Sequence, residues 1–317
     1  MPNLISICVP AYKRTSFLKR LLDSILIQTF QDFEVIVTDD SPDEAVRELC
    51  VSYSRLGKLY YFRNEKNLGT PENWNESIRR ASGQWIKLMH DDDWFSNPES
   101  LAAFADTVKQ NPGASFIFSA FRNIYLGEDR KEPVFLNRFR YSLFKKNPAT
   151  LFSSNIIGPP SVLLHRNDGK FFYDNRLKWL VDIDFYMRYL EQFQPVYIDK
   201  CLIEVGLGSE QVTRESFRVA SVEIPEHFYL LEKTGIGKLR NILVYDAWWR
   251  LIRNLGIKTA GEIREAGYPN PVPIPIAGII GFQRRLPAAL LKKGVFSKFF
   301  MSLSYLGFLM STERTGR

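Results

Sequence analysis

Aspartates stand in three clusters along the 317-residue chain, and each cluster is of a kind that can do chemistry. His90-Asp91-Asp92-Asp93 sets three carboxylates side by side, Asp39 and Asp40 follow Thr38, and Asp182 and Asp184 flank Ile183. Adjacent carboxylates repel one another, so a fold that keeps three together needs a compensating cation. A hard divalent ion, held by one or two carboxylates plus substrate phosphates, meets that need. The bland reading of the same residues is a turn before Trp94 that Asp92 and Asp93 cap. Asp39-Asp40-Ser41-Pro42 reads equally well as a solvated turn leading into a helix. For Asp182 and Asp184 the pattern by itself favours an exposed helix face. His90, His165 and His227 have no paired ligand spacing, so a zinc site is not expected. The chain also lacks a GxSxG elbow, a Walker A loop and a GxGxxG turn.

The elements that must position these clusters alternate between strand and helix. Leu4–Val9, Phe33–Thr38, Leu59–Phe62 and Trp85–Met89 read as strands. Leu18, Leu21, Leu22, Ile25 and Leu26 repeat at helical spacing, with Thr15 as the expected cap. Helices are likewise expected over 43–55, 70–82 and 98–110. Thr70-Pro71-Glu72 offers a capping hydroxyl, a proline and an acid in the first turn. Such alternation predicts a parallel sheet with helices on both faces, and ligands at the carboxyl ends of its strands. Two of the acidic clusters fall there. Farther on, 116–119 and 161–165 read as strands and 180–192 as a helix. The chain beyond Pro225 reads as helical, interrupted by prolines at 269, 271, 273 and 275.

Composition narrows the class. Hydrophobic residues make up 45% and charged residues 24%, the balance of a folded globular protein. Cys8, Cys50 and Cys201 are far apart and odd in number, which fits a reducing compartment. No signal-peptide pattern opens the sequence. The longest late uncharged stretch, Phe299 to Thr312, has 14 residues, short of a spanning helix. The net charge of +7 sits mostly at the end: from Pro271 onward, seven basic residues face the single acid Glu313. A tail that interleaves cations with Leu and Phe is expected to lie on an anionic membrane surface, whereas the nearly neutral remainder argues against a nucleic-acid partner.

Taken in order, Val9-Pro10-Ala11-Tyr12-Lys13-Arg14, Thr38-Asp39-Asp40-Ser41, Asn67-Leu68-Gly69, His90-Asp91-Asp92-Asp93 and Val181-Asp182-Ile183-Asp184 resemble the family 2 glycosyltransferases. The resemblance covers residues 3 to 213. It implies an α/β GT-A (Rossmann-like) fold, mostly parallel in its sheet and flanked by helices, with a nucleotide-sugar-binding half (1–120) and an acceptor-binding half (121–224). The C-terminal helical extension with its basic tail (225–317) lies beyond the resemblance and is read from the sequence pattern alone. The resemblance also implies inverting transfer from a nucleotide-diphosphate sugar to a saccharide or lipid-linked saccharide acceptor, in the synthesis of bacterial surface polysaccharide. Carried over residue by residue, the resemblance assigns donor contacts to Pro10, Ala11, Tyr12, Arg14, Asn67, Gly69 and Asp91. Asp39 accepts a hydrogen bond from base or ribose, and Asp182 is the catalytic base with Asp184 as a supporting acid. Asp92, with Asp93, takes Mg²⁺ or Mn²⁺, because His90 stands where the family has its first aspartate. A second departure is Gly208, before Ser209 to Thr213, where relatives often carry a histidine. The expected location is cytoplasmic, peripheral on the inner face of the membrane.

Two other readings compete. A sugar-1-phosphate nucleotidyltransferase needs a glycine-rich loop after its first strand, and Pro10-Ala11-Tyr12-Lys13-Arg14 has no glycine. A non-catalytic nucleotide-sugar-binding subunit would be marked by loss of Asp182 or of the triple aspartate, and both are present.

Overall fold

The computed structural model of the chain describes residues 4–208 and 218–315. Gly208, the second departure, is among them, and a Cβ there would lie 3.5 Å from the Leu126 side chain, whereas Ser209 to Thr213 lie outside the described residues. The chain forms two compact units: Met1–Pro148 with Ile156–Leu177 and Val181–Gln211, and Ala149–Asn155 with Lys178–Leu180 and Val212–Arg317. The expected division at residue 120 falls inside a strand, and the helical unit takes in residues 149–155 and 178–180 as well as the end of the chain.

The first unit is built on a nine-stranded sheet. Strands β1 (Ile5–Ala11), β2 (Phe33–Asp39), β3 (Leu59–Arg63) and β4 (Trp85–Leu88) are parallel, in the order β3-β2-β1-β4. Every residue of β1 and β2 is buried, as expected of apolar runs covered on both faces. Helices α1 (Thr15–Leu26), α2 (Ala45–Ser52) and α3 (Glu72–Arg79) connect these strands. α1 buries Leu18, Leu21, Leu22 and Ile25, the stripe its spacing predicts. α3 starts later than expected: Pro71, after a cis peptide bond, holds the cap position, and the Gly69 carbonyl accepts the Asn73 N–H at 2.8 Å. Gly83 serves close approach rather than helix termination, since a Cβ there would lie 2.6 Å from Ser6 Oγ.

The other half of the sheet is mixed. β5 (Asp93–Phe95), β6 (Phe116–Tyr125), β7 (Arg130–Val134), β8 (Leu163–Arg166) and β9 (Pro195–Leu207) complete it, with helices α4 (Ser100–Gln110), α5 (Arg138–Lys146) and α6 (Val181–Leu190). β8 runs antiparallel to both β4 and β6, while β6 and β9 are parallel. The parallel pattern expected from the strand-helix alternation of the first 120 residues holds from β3 to β4, and β6 with β9 adds a further parallel pair.

In the second unit, helices span Ala220–Thr234, Ile242–Leu255, Ile274–Arg284 and Gly294–Thr315. Phe228 stacks on Tyr268 at 3.9 Å, and Trp248 and Trp249 are fully buried. Glu226 accepts the backbone N–H groups of Lys178, Trp179 and Leu180 at 2.8–2.9 Å, which ties that short segment to the helical unit. The proline run does not stay irregular to its end. Pro273 caps the helix Ile274–Arg284 and Pro275 sits in its first turn, where a missing N–H costs nothing.

Candidate active site

Three connections leave the carboxyl ends of β1, β2 and β4, and they carry most of the expected site residues. Pro10 and Ala11 are buried at the end of β1, while Tyr12 is 44% exposed. The chain then turns through Lys13 at φ 63°, a left-handed conformation that costs a non-glycine residue roughly 1 kcal/mol or more. The Lys13 N–H donates to Ser41 Oγ at 2.8 Å, so the turn after β1 is fixed to the turn after β2.

Asp39 and Asp40 divide their work. Asp39 is fully buried, accepting the Ser41 N–H at 2.8 Å and the Tyr61 hydroxyl at 2.7 Å. These two contacts make it a brace for the turn after β2. Asp40 holds the loop that carries Asn67 and Gly69. One of its oxygens accepts from Asn64 Nδ2 at 2.7 Å and the Leu68 N–H at 3.0 Å, and the other accepts the Gly69 N–H at 2.8 Å. Gly69, at φ +70°, supplies the left-handed residue this loop needs. From α3, Asn73 donates to the Ala11 and Thr38 carbonyls at 3.3 and 3.2 Å, closing the ends of β1 and β2 together.

The triple aspartate follows β4, and its three carboxylates face different ways. Asp91 is buried and is gripped by Arg14, whose Nη2 and Nε both reach it, the latter at 3.2 Å. Burial pushes the Asp91 carboxyl up to about 7, against the pull of Arg14. Asp92 is half-buried and meets Arg14 Nη1 only at 3.4 Å. Asp93 is 2% exposed, and burial together with the Asp92 charge pushes its carboxyl well above the usual range; the Gly206 N–H reaches it at 3.3 Å. Gly206 itself is required by packing, since a Cβ there would collide with the Asp92 carbonyl oxygen.

Ligand atoms of His90, Asp92 and Asp93 all lie within 4.8 Å of one another. His90 Nε2 is buried without a hydrogen-bond partner among the described residues. Burial holds the imidazole down to about 4, so it is neutral at physiological pH and has a lone pair to give. One imidazole and two carboxylates within that distance fit a divalent cation such as Mg²⁺ or Mn²⁺. The structure thus brings Asp92 and Asp93 together with His90, and separates Asp91 from them toward Arg14.

The third cluster heads α6. Asp182 is half-buried in the first turn, where the helix dipole favours negative charge, and its carboxylate accepts the Ile183 N–H at 2.8 Å. Asp184, two residues farther along the turn, is 1% exposed and ion-paired to Arg188 at 2.8 Å. Asp184 is thus committed to packing and Asp182 is the more accessible acid. Burial, reinforced by the Asp182 charge, pushes the Tyr173 and Tyr186 hydroxyls well above their ordinary range. Trp74 on α3 links this acid to the cation cluster: its ring lies 4.5 Å from that of His90 and 5.2 Å from that of Tyr173. Trp74 and Tyr173 went unread in the sequence because a lone aromatic in a helix or loop looks like core. The one available signal for His90 was its place next to three aspartates.

The family described as Glycosyl transferase family 2 matches residues 6–166, just over half of the chain. A glycosyltransferase of Haemophilus influenzae, described as uncharacterized, is 36% identical over 115 residues, covering 36% of this chain and 38% of that protein. Chondroitin synthase of Escherichia coli is 27% identical over 148 residues, 46% of this chain and 21% of its own length. The chain therefore spans well under two thirds of these relatives. In fold, it is similar to S. aureus TarS 1–349 in complex with UDP-GlcNAc, with a TM-score of 0.62 and 16% identity, covering 99% of this chain and 92% of that one.

Proposed function

Because the chain belongs to glycosyl transferase family 2 and is a glycosyltransferase of GT-A fold, we propose that it transfers a sugar, with inversion, from a nucleotide-diphosphate sugar to a saccharide or lipid-linked saccharide acceptor of a bacterial surface polysaccharide. The observation that carries this reading is the presence of two separate acidic centres. His90, Asp92 and Asp93 converge within 4.8 Å at the end of β4, and Asp182 stands at the head of α6.

Inverting transfer needs both. Asp182 takes the proton of the acceptor hydroxyl as its oxygen bonds to the anomeric carbon and the bond to the diphosphate breaks. A bound Mg²⁺ or Mn²⁺ would supply Lewis-acid stabilisation of the charge that builds on the departing diphosphate. Its ligands would be Asp92, Asp93 and His90. Pro10, Ala11, Tyr12, Asn67 and Gly69 line the nucleotide, on loops that Asp39, Asp40 and Asn73 hold in place. Arg14, anchored by Asp91, presents its guanidinium beside the same carboxylates and is suited to the diphosphate. Donor nucleotides in solved relatives support this reading, since TarS was solved with UDP-GlcNAc. The test is a panel of nucleotide sugars incubated with the protein and Mn²⁺. Release of nucleoside diphosphate from one of them is expected. Tight binding of a donor with neither hydrolysis nor transfer would point instead to a nucleotide-sugar-binding subunit.

The proposal extends to a peripheral membrane contact. Among the described residues no helix is long and apolar enough to cross a membrane. The helix Gly294–Thr315 nevertheless exposes Val295, Phe296, Phe299, Leu303, Leu306 and Met310, while its other side packs through Ser297, Ser304 and Phe308 onto Trp249 and Tyr245. Exposed Arg284, Arg285, Lys292 and Lys293 precede it. Lys298 is exposed as well but is paired to Asp246 at 2.6 Å. An apolar face beside cations suits an anionic lipid surface, each cation contributing roughly 1 kcal/mol. The protein is expected to co-sediment with vesicles containing anionic lipid. Phe296→Ser with Phe299→Ser should release it, as should exchanging the four cations for glutamine. Point changes are preferable to truncation after Tyr268, which would strip Trp249 and Tyr245 of their cover. Full-length protein that stays in the supernatant at low salt would sink the membrane reading.

A further inference from the structure

Beneath the cation cluster lies a lysine that the transfer chemistry does not use. Lys87, on β4, is fully buried, its Nζ 4.7 Å from the ring centre of Phe104 and 5.9 Å from that of Phe95. A buried amine in aromatic surroundings costs several kcal/mol unless its donors are satisfied. Here they are satisfied by backbone carbonyls at the start of β8. The ladder between β4 and β8 covers Trp85 with Arg166 and Ile86 with His165; beyond it, Lys87 Nζ donates to the carbonyls of Ser161 and, at 3.3 Å, Leu163. A side chain thus takes over where the strand ladder stops.

The residue held this way reaches both ends of the cation cluster. Ser161, also fully buried, accepts the His90 N–H on its Oγ at 3.0 Å and hydrogen-bonds to the Asp93 carboxylate. One hydroxyl therefore fixes the first and last residues of the His90–Asp93 turn, and Lys87 fixes the backbone that carries the hydroxyl. We propose that Lys87 and Ser161 are positioning residues that preorganise His90 and Asp93 to ligate the divalent cation. The role needs only the N–H donors of Lys87 and the hydroxyl of Ser161, and it rests on the metal reading given above. An apolar side chain at position 87 would fill the same space between Phe95 and Phe104 but take the lysine donor away from the Ser161 and Leu163 carbonyls and leave the Ser161 backbone untethered.

The test is Mn²⁺ affinity measured without donor, by electron paramagnetic resonance of the free ion, in wild type, Ser161→Ala and Lys87→Met. Loss of a partner that orients a metal ligand typically weakens metal affinity by about 10- to 100-fold, and that is the change expected in each variant. Thermal melting is measured in parallel, because a merely structural lysine or serine would lower the melting temperature and leave Mn²⁺ affinity where it was. Wild-type Mn²⁺ affinity in folded Lys87→Met or in Ser161→Ala overturns the proposal. Should Lys87→Met fail to fold, Ser161→Ala, which leaves the Ser161 carbonyl and its lysine contact in place, decides. If wild type itself binds no Mn²⁺, the metal reading fails and this inference fails with it.

Discussion

Asp182→Asn is expected to lower kcat by about 10²-fold or more, the usual scale for loss of a general base, while nucleotide affinity stays nearly unchanged. The amide matches the carboxylate in size and can still accept the Ile183 N–H, so the start of α6 should survive. What it cannot do is take a proton from an acceptor hydroxyl. Asp184→Asn should behave in the opposite way. It weakens the ion pair with Arg188, which also donates to the Phe172 carbonyl, so the variant should melt earlier with chemistry largely retained. Steady-state kinetics with both substrates, nucleotide calorimetry and melting curves separate the two. A fully folded Asp184→Asn far slower than Asp182→Asn would move the base to Asp184.

The asymmetry between Asp182 and Asp184 was not readable in the sequence, because it comes from what each side chain touches. The same is true across the molecule. β1 and β2 could be read because strands buried on both faces are uniformly apolar, and α1 because its stripe repeats at helical spacing. β9 could not: Asp199 and Lys200 interrupt it, and its pairing with β6 slips on either side of Ala120, which breaks any regular alternation. β7, with three charges and a proline in Arg130–Val134, has the composition of a turn and the place of an edge strand. β5 is only three residues long and begins with Asp93 itself. Within the site, the carboxylates announced themselves as a cluster that a fold avoids without a cation. Lys87 gave no such signal, since a single lysine in a strand ordinarily points to solvent. Only β8, brought beside β4 from more than seventy residues away, turns it into a buried donor. Tyr61, whose hydroxyl donates to Asp39, could not be foreseen either.

Asp92→Ala is expected to abolish the metal-dependent part of donor binding and to leave the metal-free part in place. The three adjacent aspartates differ in how much of the fold depends on them, and this decides which one tests the cation most cleanly. Removing Asp91 would leave Arg14 without its principal partner and disturb the turn after β1. Removing Asp93 would empty a buried position that the Gly206 N–H and Ser161 both address. Asp92 is half-buried, its ion pair among the described residues is the 3.4 Å contact with Arg14, and a carboxylate oxygen of it lies with one of Asp93 and a His90 nitrogen inside 4.8 Å. It is therefore the ligand whose loss costs the cation most and the scaffold least. Without it, one imidazole and one buried carboxylate remain, too few oxygen donors for Mg²⁺ or Mn²⁺. Calorimetric titration of UDP or dTDP, with and without Mn²⁺, measures the difference directly. In wild type the ion should tighten binding, and in Asp92→Ala the two titrations should coincide. Arg14 should then carry the diphosphate alone, so a residual affinity that weakens steeply with salt is expected in the variant. An Mn²⁺ enhancement of wild-type size in Asp92→Ala would mean that the cation is held elsewhere, and the His90–Asp92–Asp93 assignment would fall.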